Sequence, residues 1–177
     1  MTELHIRDAR ADDHAAIRNI TLSAYQEYAV LMQAHWEDYR QSILATLAHI
    51  QPAEQIIAEQ DDTLVGTVLL FPAGTVLTTP NGASVTLTWP EIRLLAVVPA
   101  ARGHGLGAAL VRECMRRARQ SGAAALTLHT TEIMQAAMSM YERMGFVRAP
   151  ELDFHPAPGI TIKGYRYWFD DGPLSPS

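Results

Sequence analysis

Leu95-Ala96-Val97-Val98-Pro99-Ala100-Ala101-Arg102-Gly103-His104-Gly105-Leu106-Gly107-Ala108 is the stretch whose reading decides the fold. Its first part continues an apolar run that begins at Glu91, and its last part alternates glycine with other residues. A helical pattern follows. Glycines between a strand and a helix remove the Cβ atoms that would keep an anion off the backbone. The first N–H groups of the helix lack intrahelical acceptors and favour negative charge. The stretch therefore predicts a strand over 91–98 closed by Pro99, a phosphate-binding turn, and a helix from Gly105 to Gln120.

The phosphate site has two familiar rivals. Gly103-x-Gly105-x-x-Ala108 satisfies the dinucleotide fingerprint in its alanine form. However, Pro99 to Arg102 separate the strand from the first glycine, whereas the dinucleotide turn follows its strand at once. The residues after Ala108 are too few for a doubly wound domain, and Glu132 lies beyond the ~20-residue spacing of a ribose-binding acid. A P-loop is excluded, because no Gly-Lys-Ser/Thr is present.

At 177 residues, with 48% hydrophobic and 19% charged residues, the composition is that of one soluble globular domain. The expected domain covers 1–170, with 171–177 a flexible tail. A net charge of −5 argues against a general nucleic-acid surface. The one cysteine, Cys114, forms neither an internal disulfide nor, alone, a metal site, which suits a reducing compartment. No stretch reads as a signal peptide or a membrane span, so a cytoplasmic protein without membrane partners or metal is expected.

Working outward, residues 4–7 read as a first strand, and Asp12 is a candidate cap for a helix carrying Ile17, Ile20 and Ala24. Helical pattern continues, with breaks, to about Ile50, and Pro52 ends it. Gln55–Glu59 and Leu64–Phe71 read as a hairpin about Asp61-Asp62, with Gly66 a candidate bulge. Asn81-Gly82 suggests an extra hairpin within 74–90. Beyond the helix at 105–120, Leu106, Ala109, Leu110, Cys114 and Ala118 form its apolar stripe. Then come a strand over 124–130, a helix over 134–144, a short strand over 146–148, a loop over 150–160 and a last strand over 161–169. This order predicts an α+β or α/β sheet with some parallel pairing.

Leu95-Ala96-Val97-x-Pro99-x-x-Arg102-Gly103-x-Gly105-x-Gly107 resembles the acetyl-CoA motif of the GNAT N-acetyltransferase superfamily. Met140-Tyr141-x-x-x-Gly145-Phe146 is similar to that family's Leu-Tyr-x-x-x-Gly-Phe, and stands in the right order with a strand between the two. The resemblance spans 4–169. It implies an α+β fold in α/β/α layers, with a mixed, mostly antiparallel twisted sheet whose central strands splay at the acetyl-CoA site. Leu95, Ala96 and Val97 would bind the pantetheine arm through backbone groups. Arg102, Gly103, His104, Gly105, Leu106, Gly107 and Ala108 would cradle the pyrophosphate. Acetyl-CoA is the implied cosubstrate, with an unnamed amine as acceptor and a homodimer as a common state.

Tyr141 stands where the family's tyrosine protonates the leaving thiolate; by its apolar helix alone it also reads as a core tyrosine. Glu91 is a candidate base, because acetyl transfer needs an amine that gives up a proton. It lies six residues before Val97, on the same face by period 2, at the strand offset of the family's catalytic glutamate. His129 is a second candidate base, and otherwise a structural histidine. Met134 departs from the family, whose asparagine at this position contacts the cofactor arm. Tyr25, Tyr28, His35, Trp36, Tyr39, Phe154 and His155 are candidates for acceptor walls. The rival reading is a non-catalytic CoA-binding sensor or interaction module of the same fold; a nucleotide-dependent oxidoreductase is more distant.

Overall fold

A computed structural model of the chain describes residues 3–79 and 82–170. Pro80, Asn81 and the tail 171–177 lie outside the described residues, so Asn81 of the expected turn and the tail are not discussed further. In chain order the elements are β1 (Leu4–Asp8), α1 (His14–Gln26), α2 (Ala29–Met32), α3 (Trp36–Ala48), β2 (Glu54–Gln60), β3 (Thr63–Phe71), β4 (Val76–Thr78), β5 (Ser84–Thr86) and β6 (Glu91–Val97). They continue with α4 (Leu106–Gln120), β7 (Ala125–Thr130), α5 (Gln135–Arg143), β8 (Val147–Arg148), β9 (Phe154–Ala157) and β10 (Ile160–Trp168). The chain gathers into two compact units, 1–70 with 94–113, and 71–93 with 114–177.

In the first unit β1 pairs with β2 and β2 with β3, both antiparallel. Asp61 and Asp62 join β2 to β3 with φ of +48° and +61°, the left-handed pair that a two-residue hairpin turn demands. The ladder slips after Ala58, opposite Gly66, so the expected bulge is present. Gly66 also allows close approach: a Cβ there would meet the Ala96 carbonyl at 3.2 Å and Leu110 Cδ1 at 3.0 Å. Asp12 is not the cap of α1. Asp13 precedes that helix, and its carboxylate instead accepts from the Arg10 N–H at 2.6 Å and from Arg7 at 2.7 Å. Arg7 thereby ties β1 to the turn before α1, and the arginine holds the Asp13 carboxyl down at about 2.

In the second unit β6 pairs with β7 in parallel, and β7 with β10 antiparallel. β10 also pairs antiparallel with β8 and with β9. The expected loop over 150–160 therefore contains a strand. Its prolines hid it, and Pro156 is tolerated because β9 is paired only along β10, leaving its other side unpaired. The extra hairpin is present as β4 and β5. Each of the strand pairs named above is antiparallel except β6 with β7, and the fold is a mixed, mostly antiparallel α+β arrangement. Leu126, Leu128, Tyr165 and Phe146 are buried at the centre of this unit's core.

Strand β6 contributes to both units. Its parallel ladder takes in Glu91 and Ile92, and two residues later Leu94 has φ +49°. A left-handed residue inside a strand turns the pleat, so strict alternation does not run from Glu91 to Val97. The face-sharing expected from period 2 therefore does not follow along this strand.

Candidate active site

The glycine stretch folds as its sequence demands. A short 3-10 turn, Pro99–Ala101, ends β6, and Arg102 is extended. Gly103 and Gly105 have φ of +80° and +77°, and a Cβ at either would meet nothing within 4 Å. Backbone conformation, not crowding, selects glycine here, and the space beside both is open. The Ala109 N–H donates to the Gly105 carbonyl at 2.9 Å, the first i,i+4 bond of α4. The N–H groups of Leu106, Gly107 and Ala108 precede it and have no acceptor within the helix. Leu106 is buried and anchors the helix start, while Gly103, His104 and Gly105 are exposed. Such a run of donors beside open space fits a pyrophosphate.

Arg102 does more than add charge. Its Nε donates to the Val97 carbonyl at 3.1 Å, and its guanidinium pairs with Glu27 at 2.6 Å. The side chain thus braces the turn between β6 and α4, and Glu27 offsets part of its charge. Upstream, the Tyr25 hydroxyl donates to the Leu95 carbonyl at 3.1 Å. Tyr25 also packs edge-on to Tyr28 and Tyr39, and Trp36 packs against Tyr39. Four of the candidate acceptor-wall residues therefore form one aromatic group joined to the backbone of β6. Ala96 and Val97 are buried.

In the other unit Glu91 and His129 come together. Glu91 is a buried carboxylate, 2% exposed. One oxygen accepts from Arg93 Nε at 2.6 Å, and the other stands 3.3 Å from His129 Nδ1, an ion-pair contact outside hydrogen-bonding geometry. The second ring nitrogen, Nε2, meets the Leu152 carbonyl at 2.9 Å. Both nitrogens face acceptors, which suits the doubly protonated ring. Burial disfavours the charge on each partner, but the contacts outweigh it. Burial pushes Glu91 up, while His129 and Arg93 bring its carboxyl below the usual range. Burial pushes His129 down, while Glu91 and the Leu152 carbonyl bring it above its ordinary value. Phe154 packs edge-on to the His129 ring at 5.3 Å.

Gly164 makes this arrangement possible. It is the cross-strand partner of His129, and a Cβ there would overlap Leu152 Cβ and lie 2.9 Å from the Ala149 carbonyl. The turn carrying Leu152 fits against β10 only without that atom. Asp153 accepts from the Gly164 N–H at 2.8 Å and pairs with Arg148 at 2.8 Å. The arginine lowers the Asp153 carboxyl to about 2.

Tyr141 is buried on α5, edge-on to Phe146 at 5.9 Å. Met134 occupies the N-cap position of α5 and makes no side-chain cap. An asparagine there has a side-chain oxygen that can cap the helix, and Met134 has none. Cys114 is fully buried, as its place on the apolar stripe predicts. Sequence reading missed Arg93, Glu27 and Gly164 as parts of the site. Arg93 had a signal, since residues i and i+2 of a strand share a face. The others depend on contacts between segments far apart in sequence. Among the described residues no His/Cys/Asp/Glu group could hold a metal, and no helix is long and apolar enough to cross a membrane.

The family model described as "Acetyltransferase (GNAT) family" matches residues 15–146. An uncharacterized N-acetyltransferase of Bacillus subtilis is 29% identical over 143 residues, 81% of this chain and 89% of that protein. Human N-acetyltransferase 8B is 32% identical over 101 residues, 56% of this chain; the match spans only 40% of that relative's length. Among solved structures, a GNAT family acetyltransferase from Brucella melitensis in complex with acetyl-CoA superposes with a TM-score of 0.64. It is 25% identical, over 98% of this chain and 92% of that one.

Proposed function

Because the chain belongs to the GNAT acetyltransferase family, we propose that it moves the acetyl group of acetyl-CoA to a primary amine by direct attack. The observation that carries this reading is the pair of left-handed glycines, Gly103 and Gly105, with open space beside them at the start of α4. When bound, acetyl-CoA supplies an acetyl group activated as a thioester.

Residues Arg102 to Ala108 hold the pyrophosphate through backbone N–H groups. Leu95, Ala96 and Val97 hold the arm along β6, and the Val97 N–H polarises the thioester carbonyl. The acceptor nitrogen bonds to the acetyl carbon as the carbon–sulfur bond breaks. Tyr141 gives its phenolic proton to the departing sulfur. The attacking nitrogen becomes strongly acidic once its lone pair is engaged, so a weak base suffices for its proton. Glu91, held between Arg93 and His129, or an ordered water takes that proton. No acyl-enzyme is needed, and buried Cys114 is not its nucleophile. A lone buried thiol also suits action in the cytoplasm.

The test is amine-dependent release of free thiol from acetyl-CoA over a panel of small amines, amino acids, polyamines and peptide amines. Release with at least one class supports the enzyme. Tight CoA binding with no release across the panel supports the sensor module instead. Light scattering of the same sample tests the expected homodimer.

A further inference from the structure

Three arginines stand on the strands of the second unit, and two of them give terminal nitrogens to acids. Arg148 gives Nη1 and Nη2 to Asp153, and Arg166 gives Nη2 to Glu151. Arg93 on β6 differs. Its Nε donates to Glu91 at 2.6 Å, but Nη1 and Nη2 have no hydrogen-bond partner among the described residues. Neither of those nitrogens is buried. The acids between Cys114 and Trp168 are already engaged: Asp153 by Arg148, Glu151 by Arg166, Glu132 by Lys163 and Glu142 by the Tyr165 hydroxyl. The open edge of Arg93 therefore faces no acid of its own unit other than Glu91.

That edge is held in place. The buried Glu91 carboxylate fixes Nε, and the guanidinium lies over the Phe71 ring, 5.8 Å from its centroid. A fixed guanidinium edge with two parallel N–H groups matches a carboxylate through two hydrogen bonds. Charge points the same way. His129, with an acceptor at each ring nitrogen, and Arg93 together set two positive charges against the one negative charge of Glu91. The cluster favours a ligand that brings a negative charge. We infer that Arg93 binds the carboxylate of the acceptor, and that the acceptor is an amino acid rather than a polyamine or an amino sugar. Glu91 and Arg93 are bonded to each other, so they address groups that lie close together in the ligand, its amine and its carboxylate. This inference rests on the acetyl-transfer reading above, with Glu91 on the amine side. Arg93 takes no part in bond making: the carbon–nitrogen bond forms and the thiolate leaves as described there.

The test is thiol release from acetyl-CoA by the full chain with the common L-amino acids and β-alanine, each paired with its carboxamide. The carboxamide keeps the shape and loses the charge. Its amine is also less protonated at neutral pH, because no carboxylate stands beside it, so a preference for the acid does not come from amine supply. Wild type should give a kcat/KM at least about tenfold higher for the acid in its best pair. Arg93→Gln should bring that ratio to about one, and Arg93→Lys, which keeps the charge without the fork, should retain part of it. The ratio is the readout because Nε also holds Glu91. Loss of that hold slows both members of a pair alike, so a merely structural role leaves the ratio unmoved. Where Arg93→Gln does not fold, Arg93→Lys decides by the same ratio. A wild-type ratio of one or less in every pair overturns the inference, as does an unchanged ratio in the variants. Release with polyamines or amino sugars alone overturns this inference and leaves acetyl transfer standing. No release with any amine overturns the acetyl-transfer reading, and this inference with it.

Discussion

Glu91 Oε2 and His129 Nδ1 stand 3.3 Å apart on neighbouring parallel strands, with Arg93 on the other carboxylate oxygen and the Leu152 carbonyl on the other ring nitrogen. The charge of each member depends on the others. Titrating His129 by NMR should give a midpoint above 6.5, and Glu91→Gln should bring it down, since burial alone disfavours the imidazolium. Equal midpoints in the two proteins would contradict the pairing. The stability signs are opposite for the partners. His129, raised on folding, contributes fully below its unfolded value and loses that contribution as pH rises through the folded one. Glu91, lowered on folding, contributes above its unfolded value and loses it as pH falls through the folded one. The pair is therefore strongest between the two ordinary values, 4.5 and 6.5, and unfolding at several pH values should show Glu91→Gln losing most there.

Gly164→Ala tests how β10 holds the turn behind His129. The added methyl meets Leu152 and the Ala149 carbonyl, and backbone on that side cannot swing away. A loss of about 2–3 kcal/mol on denaturant unfolding is expected. His129 should titrate lower as the Leu152 carbonyl moves off. Wild-type stability in this variant would show that the turn yields freely.

Much of this was legible in the sequence. Gly103, Gly105 and the Asp61-Asp62 turn announce themselves because few residues tolerate left-handed backbone, and the chemistry of that backbone is local. Glu91 and His129 were each singled out, but as separate candidates. Their contact depends on parallel pairing of β6 with β7, which no local pattern encodes. Leu94 is the instructive failure: a leucine in a strand gives no sign of positive φ, yet it breaks the alternation that linked Glu91 to Val97. The strand at Phe154–Ala157 was obscured by Pro156, whose missing N–H costs little where one side of a strand is unpaired.

Gly105→Val separates fold from cofactor binding. Its φ of +77° is left-handed, so a branched residue strains the turn by about 1–2 kcal/mol even with open space beside it. The protein should still unfold cooperatively, with CoA affinity lowered by at least about a hundredfold as the side chain fills the cradle. Retained affinity would remove the 102–108 turn from the pyrophosphate site.

Tyr141→Phe keeps the ring that packs edge-on against Phe146 and removes the hydroxyl that would donate the proton. Turnover should fall by about a hundredfold while the Kd for CoA stays within about twofold. Equal turnover would return Tyr141 to the role of a core residue.

The most direct test of the proposed activity is product analysis by mass spectrometry after incubation with acetyl-CoA and an amine that elicits thiol release. The predicted result is one N-acetylated amine for each thiol released, in wild type and not in Gly105→Val. Thiol release without an acetylated amine, or acetyl found on the protein itself as an obligatory intermediate, would contradict direct transfer to an amine.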